Sequence, residues 1–455
     1  MTETPEEKAM LDNIRELQMM AEDLVAFGRK LGADEIEVTV AEGEDFTVNV
    51  RQQEIEDLTQ ANFRYLALRI IKDKRTATAT TSDLSPETLR ELARQTLFRA
   101  TLGSVDEYAG LPSRLETHAD AASLLLFDPE VLRLNPKQKI ALALETERIA
   151  LADPRITNSF GASFSSSAAA LGIVNSFGFS DYYMVTSCSL SVGLQAGETN
   201  NRVEDSWYTA KRSFQELAPP EAVARRAIER TVRLLNPRKI KTEVVPVIFE
   251  PPMTSWLLGF LFSCVAGTSI YQKTSFLVDK LGEKIAGENI TVIDDGLMPG
   301  KLGSRPFDSE GVPTRRTVVI EAGVLKNYLC NTYAARKLNL ESTGNAEGGG
   351  VGPNNFFLVP GPTSAAEIIS SVDRGLILTK TIGHGLNPVT GEISRGAFGL
   401  WVENGEVVYP VAEITIAGNL AEILNKIEMV GCDLEFEAAV CGPTIKVAEL
   451  TVAGT

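Results

Sequence analysis

The stretch Val244–Ala266, VVPVIFEPPMTSWLLGFLFSCVA, constrains this chain most, because an apolar strand runs into two prolines and restarts as an apolar helix. Val244, Val245, Val247, Ile248 and Phe249 form a β-rich run. Pro251 and Pro252 end it, since each lacks a backbone donor and fixes φ. Trp256, Leu257, Phe260, Leu261 and Cys264 then recur at helical spacing, so the spacing predicts a mostly buried helix beginning near Thr254. A strand-to-helix junction suits chemistry because a first helical turn points free N–H groups into a cleft. The same pattern also describes a plain core strand and helix.

The flanking segments organise around that junction. Upstream, residues 8–31 read as an amphipathic helix with Leu11, Ile14, Leu17, Ala21 and Leu24 on one stripe. Four or five short strands follow, from Ile36, Phe46, Glu54, Tyr65 and Thr76, as an antiparallel meander. Ser85-Pro86-Glu87 opens a helix to about Ala100, and Asn135-Pro136 another to about Leu151. The Ser/Ala/Gly-rich stretch from Ile156 to Tyr208 keeps enough Ile, Val, Phe and Tyr to predict two or three strands rather than a linker. Pro219-Pro220 starts a helix to Leu235, and Asn236–Lys239 is a proline-bearing boundary. The expected segments are an N-terminal α+β domain (1–120), a central α+β segment packing with it (121–237) and a β-rich C-terminal domain (238–455).

Within the C-terminal part, residues 297–313 read as a long loop, a candidate lid or partner contact. Ser364–Glu367 is a capping box whose helix is expected to reach Arg374. Asn404-Gly405 marks a hairpin between Ala397–Val402 and Glu406–Val411, with Trp401 on its buried face. The runs DLEFEAAV and TIKVAELTV are expected to pair. So many strands with helices at the ends predict a closed or nearly closed mixed sheet, hence an α+β chain whose C-terminal domain is barrel-like.

Composition bounds the functions. A net charge of −16 disfavours nucleic acid, which calls for clustered Lys and Arg. No run reaches membrane-spanning length, and the acidic start MTETPEEKAML is unlike a secretory signal. Cysteines 188, 264, 330, 432 and 441 show no paired metal spacing, which suggests reduced thiols in the cytoplasm. His118, in a polar context, reads as an exposed surface histidine. The many serines lack a GxSxG elbow. His384, flanked by glycines, is a weak candidate base, with Cys441 or Glu392 as its only plausible partners, and STGNAEGGGVGPNN (Ser342–Asn355) reads as a mobile loop rather than a P-loop.

The series TSFLVDKLG (274–282), DDGLMPGKLGSRPFDSEGVPTRR (294–316), VIEAGVLKNYLCNTYAARKLN (319–339), STGNA (342–346) and SRGAFGLWVENGEVVYPVAEITIAGNL (394–420), in that order, resembles the PmbA/TldD family, and within it the PmbA (TldE) branch. The resemblance covers nearly the whole chain and implies the same two-part architecture. It implies that the proteolytic TldD branch carries HExxxH at the strand-to-helix junction, where two histidines bind zinc and the glutamate assists a metal-bound water. Here that slot falls on Glu250–Trp256, with Glu250, Pro251, Pro252 and Trp256 and no histidine. A zinc site that activates water needs about three protein ligands and an open position. The branch's further zinc ligand, a C-terminal cysteine, lies near the position of Cys441, which read by itself is more simply a small buried hydrophobe.

By the same resemblance, Thr343, Gly344 and Asn345 would lie by the groove of the proteolytic branch, and Arg395 is a further peptide- or partner-facing candidate. The leading expectation is a non-catalytic subunit with no metal or cofactor of its own. It would join a zinc-bearing TldD-like chain to process unfolded peptides in the cytoplasm. The alternatives are a homodimeric peptide- or protein-binding module without protease activity, and a hydrolase using Cys441 with His384.

Overall fold

The computed structural model describes residues 4–113, 117–198 and 201–454. Helix α1 (Pro5–Leu31) starts three residues before the expected position because Thr4 and Glu7 form a reciprocal capping box with proline at the first turn. The expected short strands merge into β1 (Glu35–Arg51), β2 (Glu54–Lys72) and β3 (Arg75–Thr81). Glu42–Asp45 is no turn, since it stays in register with Ala61–Arg64 of β2. Gly43 permits this, because a Cβ there would lie 2.4 Å from the Ala168 carbonyl oxygen and 2.7 Å from the Phe63 ring.

Helices α2 (Pro86–Leu102), α3 (Pro129–Arg133) and α4 (Pro136–Leu151) follow, then β4 (Ile156–Asn175), β5 (Ser180–Ala196), β6 (Val203–Lys211) and α5 (Pro220–Val232). The six strands form one antiparallel sheet in the order β3-β2-β1-β4-β5-β6, so both N-terminal segments share it. One face buries two apolar clusters, Val38, Val40, Leu68 and Ile70 with α1 and α2, and Phe46, Val48, Phe164 and Leu190 with α4 and α5.

The C-terminal half contains β7 (Glu243–Phe249), α6 (Pro251–Val265), α7 (Gly267–Tyr271), β8 (Val292–Asp295), β9 (Arg316–Glu321), β10 (Val324–Leu325) and α8 (Thr332–Leu338). It continues with β11 (Ala346–Glu347), β12 (Gly350–Val351), β13 (Phe356–Leu358), α9 (Ala365–Ser370), β14 (Arg374–Ile382) and β15 (Leu386–Asn387). It ends with β16 (Glu392–Glu403), β17 (Glu406–Asn419), α10 (Leu420–Asn425), β18 (Ile427–Val430), β19 (Val440–Cys441) and β20 (Ile445–Ala453). Strand β14 pairs with β7, β7 with β20, β20 with β17, β17 with β16 and β16 again with β14, which closes a five-strand barrel. Helix α6 shares one core with the barrel residues Val247, Phe249, Trp401 and Val447 and with Val292, Val319 and Phe356 of the second sheet. Ile248, Ile377, Leu400 and Val402 of the barrel wall instead join the cluster under α4 and α5. Strand β7 is thus buried on both faces, which is why its sequence does not alternate.

Four expectations give way here. The capping-box helix α9 stops at Ser370, and Arg374 and Gly375 belong to β14, where Gly375 pairs with Val402. DLEFEAAV contributes only Val440 to a strand, and β20 pairs with β18, β7 and β17 instead. Residues 297–313 are no lid but are bolted to the N-terminal sheet. The Arg212 guanidinium donates to the carbonyl oxygens of Lys301, Leu302, Ser304 and Thr186. Phe307 is buried with its ring 5.0 Å from Phe179 and Tyr183 and 5.1 Å from His118. His118 is therefore half-buried rather than exposed, with Nε2 2.9 Å from Asp181. The Asp and Gly residues of this loop serve turns: Asp308 Oδ1 accepts from Glu310 N and Val312 N.

Burial pushes the Arg212 guanidinium down to about 10, and carbonyl oxygens alone satisfy it. Arg212→Ala orphans those oxygens, so urea unfolding is expected to show a loss on the order of 2–4 kcal/mol, with early proteolytic nicking near residue 301.

Candidate functional site

The β7–α6 junction begins with the two prolines, which do not interrupt α6 but open it. Pro251 and Pro252 occupy its first positions, where no N–H partner is needed, so the helix starts three residues before Thr254. The prolines also remove two of the four N-terminal donors, and Met253 N and Thr254 N both donate to the Glu250 carbonyl oxygen at 2.8 and 2.9 Å. This helix end therefore offers no free N–H to a cleft, contrary to the expectation for a strand-to-helix junction.

Glu250 is the N-cap residue, yet its carboxylate makes no cap hydrogen bond. It turns towards α5. Arg233 donates from Nη1 to Oε1 at 2.5 Å and from Nη2 to Oε2 at 2.8 Å, while Arg230 donates from Nη1 to Oε2 at 3.0 Å. Arg230 Nη2 also stands 3.1 Å from Asp205 Oδ2 in β6, close enough to pair but not aligned as a hydrogen bond. Burial alone would raise the Glu250 carboxyl, but Arg233 and Arg230 together outweigh it and hold the group below the usual carboxylate range. The one acid at the junction is thus ionised and committed at both oxygens.

The C-terminal strands close the other side. Ser255 Oγ donates to Pro251 O at 2.8 Å and accepts from Gly442 N at 3.0 Å, which places Cys441 beside the first turn of α6. Cys441 is buried, its thiol lies 3.2 Å from the Ala438 carbonyl oxygen, and burial pushes it up, so it is held as a thiol rather than a thiolate. His384 is exposed in the turn after β14 and makes no hydrogen bond or ion pair among the described residues. Nothing brings it to Cys441 or Glu392.

Trp256 and Arg395 do come together. The Arg395 guanidinium sits 5.2 Å from the centre of the Trp256 ring, at the edge of an open cleft of about 440 Å³ lined by Trp256, Gly259, Phe260, Ser263, Leu386 and Pro388. Trp256 is accordingly half-buried rather than part of the core stripe.

Thr343, Gly344 and Asn345 are fastened in a buried hydrogen-bond network. Thr343 and Asn345 are buried. Thr343 Oγ1 donates to Asn345 Oδ1 at 2.6 Å, and Asn345 Nδ2 donates to Asp294 Oδ2 at 2.7 Å and to Gly352 O at 3.0 Å. Asn354 adds two donors to Asp294. Gly344 has φ +72° and lies so close to the 313–314 backbone that a Cβ would fall 2.5 Å from Pro313 O. These side chains are spent on structure and do not reach solvent. Burial pushes Asp294 up to about 6 against the pull of the asparagine amides. It pushes Asp308 up to about 7, with Glu310 adding to the rise and the N–H groups of Ala346 and Glu310 opposing it.

The pattern missed Arg230 and Arg233. The signal was present, because Arg230 occupies the stripe of Val223, Ala227 and Leu234 where an apolar residue is expected, and a charge on a buried stripe calls for an acid partner. As a zinc site of the TldD kind, the junction does not fit: no imidazole stands there, Glu250 is taken by arginines, and Cys441 is a hydrogen-bonded thiol. No three His, Cys, Asp or Glu side chains converge to hold a metal among the described residues.

Three family profiles match consecutive parts of the chain, PmbA/TldA metallopeptidase domain 1 at 36–100, the central domain at 129–235 and the C-terminal domain at 242–454. The metalloprotease PmbA of Escherichia coli O157:H7 is 36% identical, over 94% of each chain. The chain belongs to the PmbA/TldD family. Among solved structures, TldE of Thermococcus kodakarensis matches with a TM-score of 0.86 and 28% identity, over 96% of this chain and all of that one. A candidate modulator of a DNA gyrase from Thermotoga maritima matches with a TM-score of 0.88 and 28% identity, again over 96% of this chain and 100% of the other. These PmbA/TldD relatives support the α+β fold with its barrel.

Two outcomes test the electrostatics. Glu250→Gln leaves half-buried Arg233 without its anion and buried Arg230 with Asp205 alone, so unfolding in urea is expected to be easier by about 3 kcal/mol. The Asp308 carboxyl rises from its ordinary 3.8 to about 7, so between those pH values the native state binds a proton that the unfolded chain has released. Unfolding free energy should therefore fall as pH rises through that window, and Asp308→Asn should flatten the fall.

Proposed function

We propose that this chain is a non-catalytic PmbA/TldE-like subunit that joins a zinc-bearing TldD-like chain to process unfolded peptides in the cytoplasm. The observation that carries the reading is the double arginine clasp on Glu250. A carboxylate held by three charge-assisted hydrogen bonds, below its usual titration range, can neither ligate a metal nor take a proton from water at neutral pH. The helix end beside it has no spare N–H to stabilise an oxyanion.

What this chain retains there is shape. Trp256, Arg395, Leu386 and Pro388 offer an open apolar cleft with one cation at its edge, suited to a partner surface or an extended peptide rather than to bond cleavage. The zinc and the activated water belong, in this reading, to the other subunit. The charge of −16 supports peptide rather than DNA as the substrate class.

Metal analysis and cleavage assays of each chain, alone and mixed, with a disordered peptide decide the matter. Expected are no stoichiometric zinc and no cleavage for this chain by itself, and faster cleavage by the TldD-like chain when this one is added. Stoichiometric zinc here, or unaided cleavage, would overturn the proposal.

A further inference from the structure

Helix α6 carries one glycine in its middle, Gly259, and nothing in the fold requires it. Its φ is not positive, and no neighbouring atom lies within 4 Å of the Cβ it lacks. Among the described residues it is the one glycine with neither reason. Gly267 and Gly442, which lie against the same helix, are pressed instead, with 2.6 Å left to Cys330 Sγ and 2.4 Å to Thr254 Cγ2. A mid-helix glycine weakens a helix relative to alanine, so this one leaves space at the expense of strength. The space belongs to the open cleft, because Trp256, Gly259, Phe260 and Ser263 recur at the spacing of one helix face, with Leu386 and Pro388 completing the lining. From Trp256 to Ser263 that face runs about 10 Å, the span of about three extended residues.

The Trp256 end holds a cation without an anion. Arg395 lies over the indole ring, its Nε stands 3.5 Å from the Ile382 carbonyl oxygen, and it makes no ion pair among the described residues. A guanidinium stacked in this way keeps a planar fork of N–H groups for a carboxylate. The lining has little to give a peptide backbone. The helix bonds its own N–H and C=O groups, and the Ser263 hydroxyl donates to Phe260 O at 2.7 Å. Pro388 has no N–H, and its carbonyl oxygen already accepts from Phe276 N at 2.8 Å. A chain passing through would find no ladder of hydrogen bonds such as a sheet edge supplies. A chain that ends here needs none, since its last residue carries a side chain and an anion on one carbon.

We propose that this cleft holds the C-terminal residue of a peptide, with its carboxylate on Arg395 and a large apolar side chain over Gly259 against Phe260. The inference rests on the reading above, in which peptides are the substrate class, and narrows it. Each peptide bond hydrolysed by a zinc-bearing partner takes up one water and leaves a new carboxylate on the N-terminal fragment, so ligands of this class arise at every cut.

Fluorescence anisotropy of a short disordered peptide ending in Leu, labelled at its N-terminus, tests this with the full chain alone. Expected is saturable binding of the free acid, weakened about tenfold or more by C-terminal amidation. An amidated peptide with Asp before the Leu should bind no better than the amidated parent. Arg395→Gln should weaken the free acid about tenfold, while the amidated peptide binds both forms alike. Gly259→Ala should raise the urea midpoint, as expected where a helix glycine has room for a Cβ, and Gly259→Leu should block the peptide. No binding of the free acid, equal binding of acid and amide, an internal Asp that replaces the terminal carboxylate, indifference to Arg395→Gln, or a folded Gly259→Leu that still binds would overturn the proposal. None of these touches the subunit role, which fails instead on stoichiometric zinc or unaided cleavage by this chain.

Discussion

The bond between Glu250 and the two arginines of α5 is what the rest of the molecule is arranged around. Arg230 and Arg233 end the last helix of the N-terminal half, and Glu250 opens the first helix of the barrel half, so one ion cluster joins the two cores at the point where the chain passes between them. Buried ions cost several kcal/mol each to desolvate, and here two acids, Asp205 and Glu250, meet two bases. Such a cluster adds less to stability than to the choice of one relative arrangement, because the desolvation cost of each ion is offset only where its partners meet it.

The same clasp is what the proposed non-catalytic role rests on. A strand-to-helix turn is a good catalytic platform only if its side chain and its N–H groups are free. Here the carboxylate is neutralised by guanidiniums, two donors are absent as prolines and two more bond to Glu250 O. The architecture of the PmbA/TldD family is kept, and Glu250 and the helix end beside it are engaged in holding the fold.

A second polar seam lies between the halves, along the loop that Arg212 and Phe307 fasten. Arg69 bridges Glu37 of the sheet at 2.9 Å and Glu310 of the loop at 3.5 Å. Burial raises Glu37, partly offset by Arg69, so this contact too trades desolvation against pairing. Together with Asp308, which neighbours Glu310, these groups make the interface rich in buried acids. An interface of this kind is specific in geometry and sensitive to pH, where a purely apolar one would be neither.

Much of the framework could be read from the chain. The apolar stripe placed α1, and capping residues and prolines placed α2, α4, α5 and the start of α9; Asn404-Gly405 placed the β16–β17 hairpin; the β-rich apolar run Val244–Phe249 marked β7, and the absence of imidazoles from Glu250–Trp256 was visible outright. These are local effects, set by backbone geometry and side-chain type within a few residues. Tertiary contact decided the rest. The joining of short β patterns into long strands depended on Gly43 passing beside β4, and the fate of the glycine-rich and 297–313 loops depended on Asp294, Arg212 and Phe179, which lie far off in sequence. Above all, whether Glu250 was a free acid or a clasped one turned on arginines from another helix, because the state of a buried charge is set by what surrounds it in space and not by its neighbours along the chain.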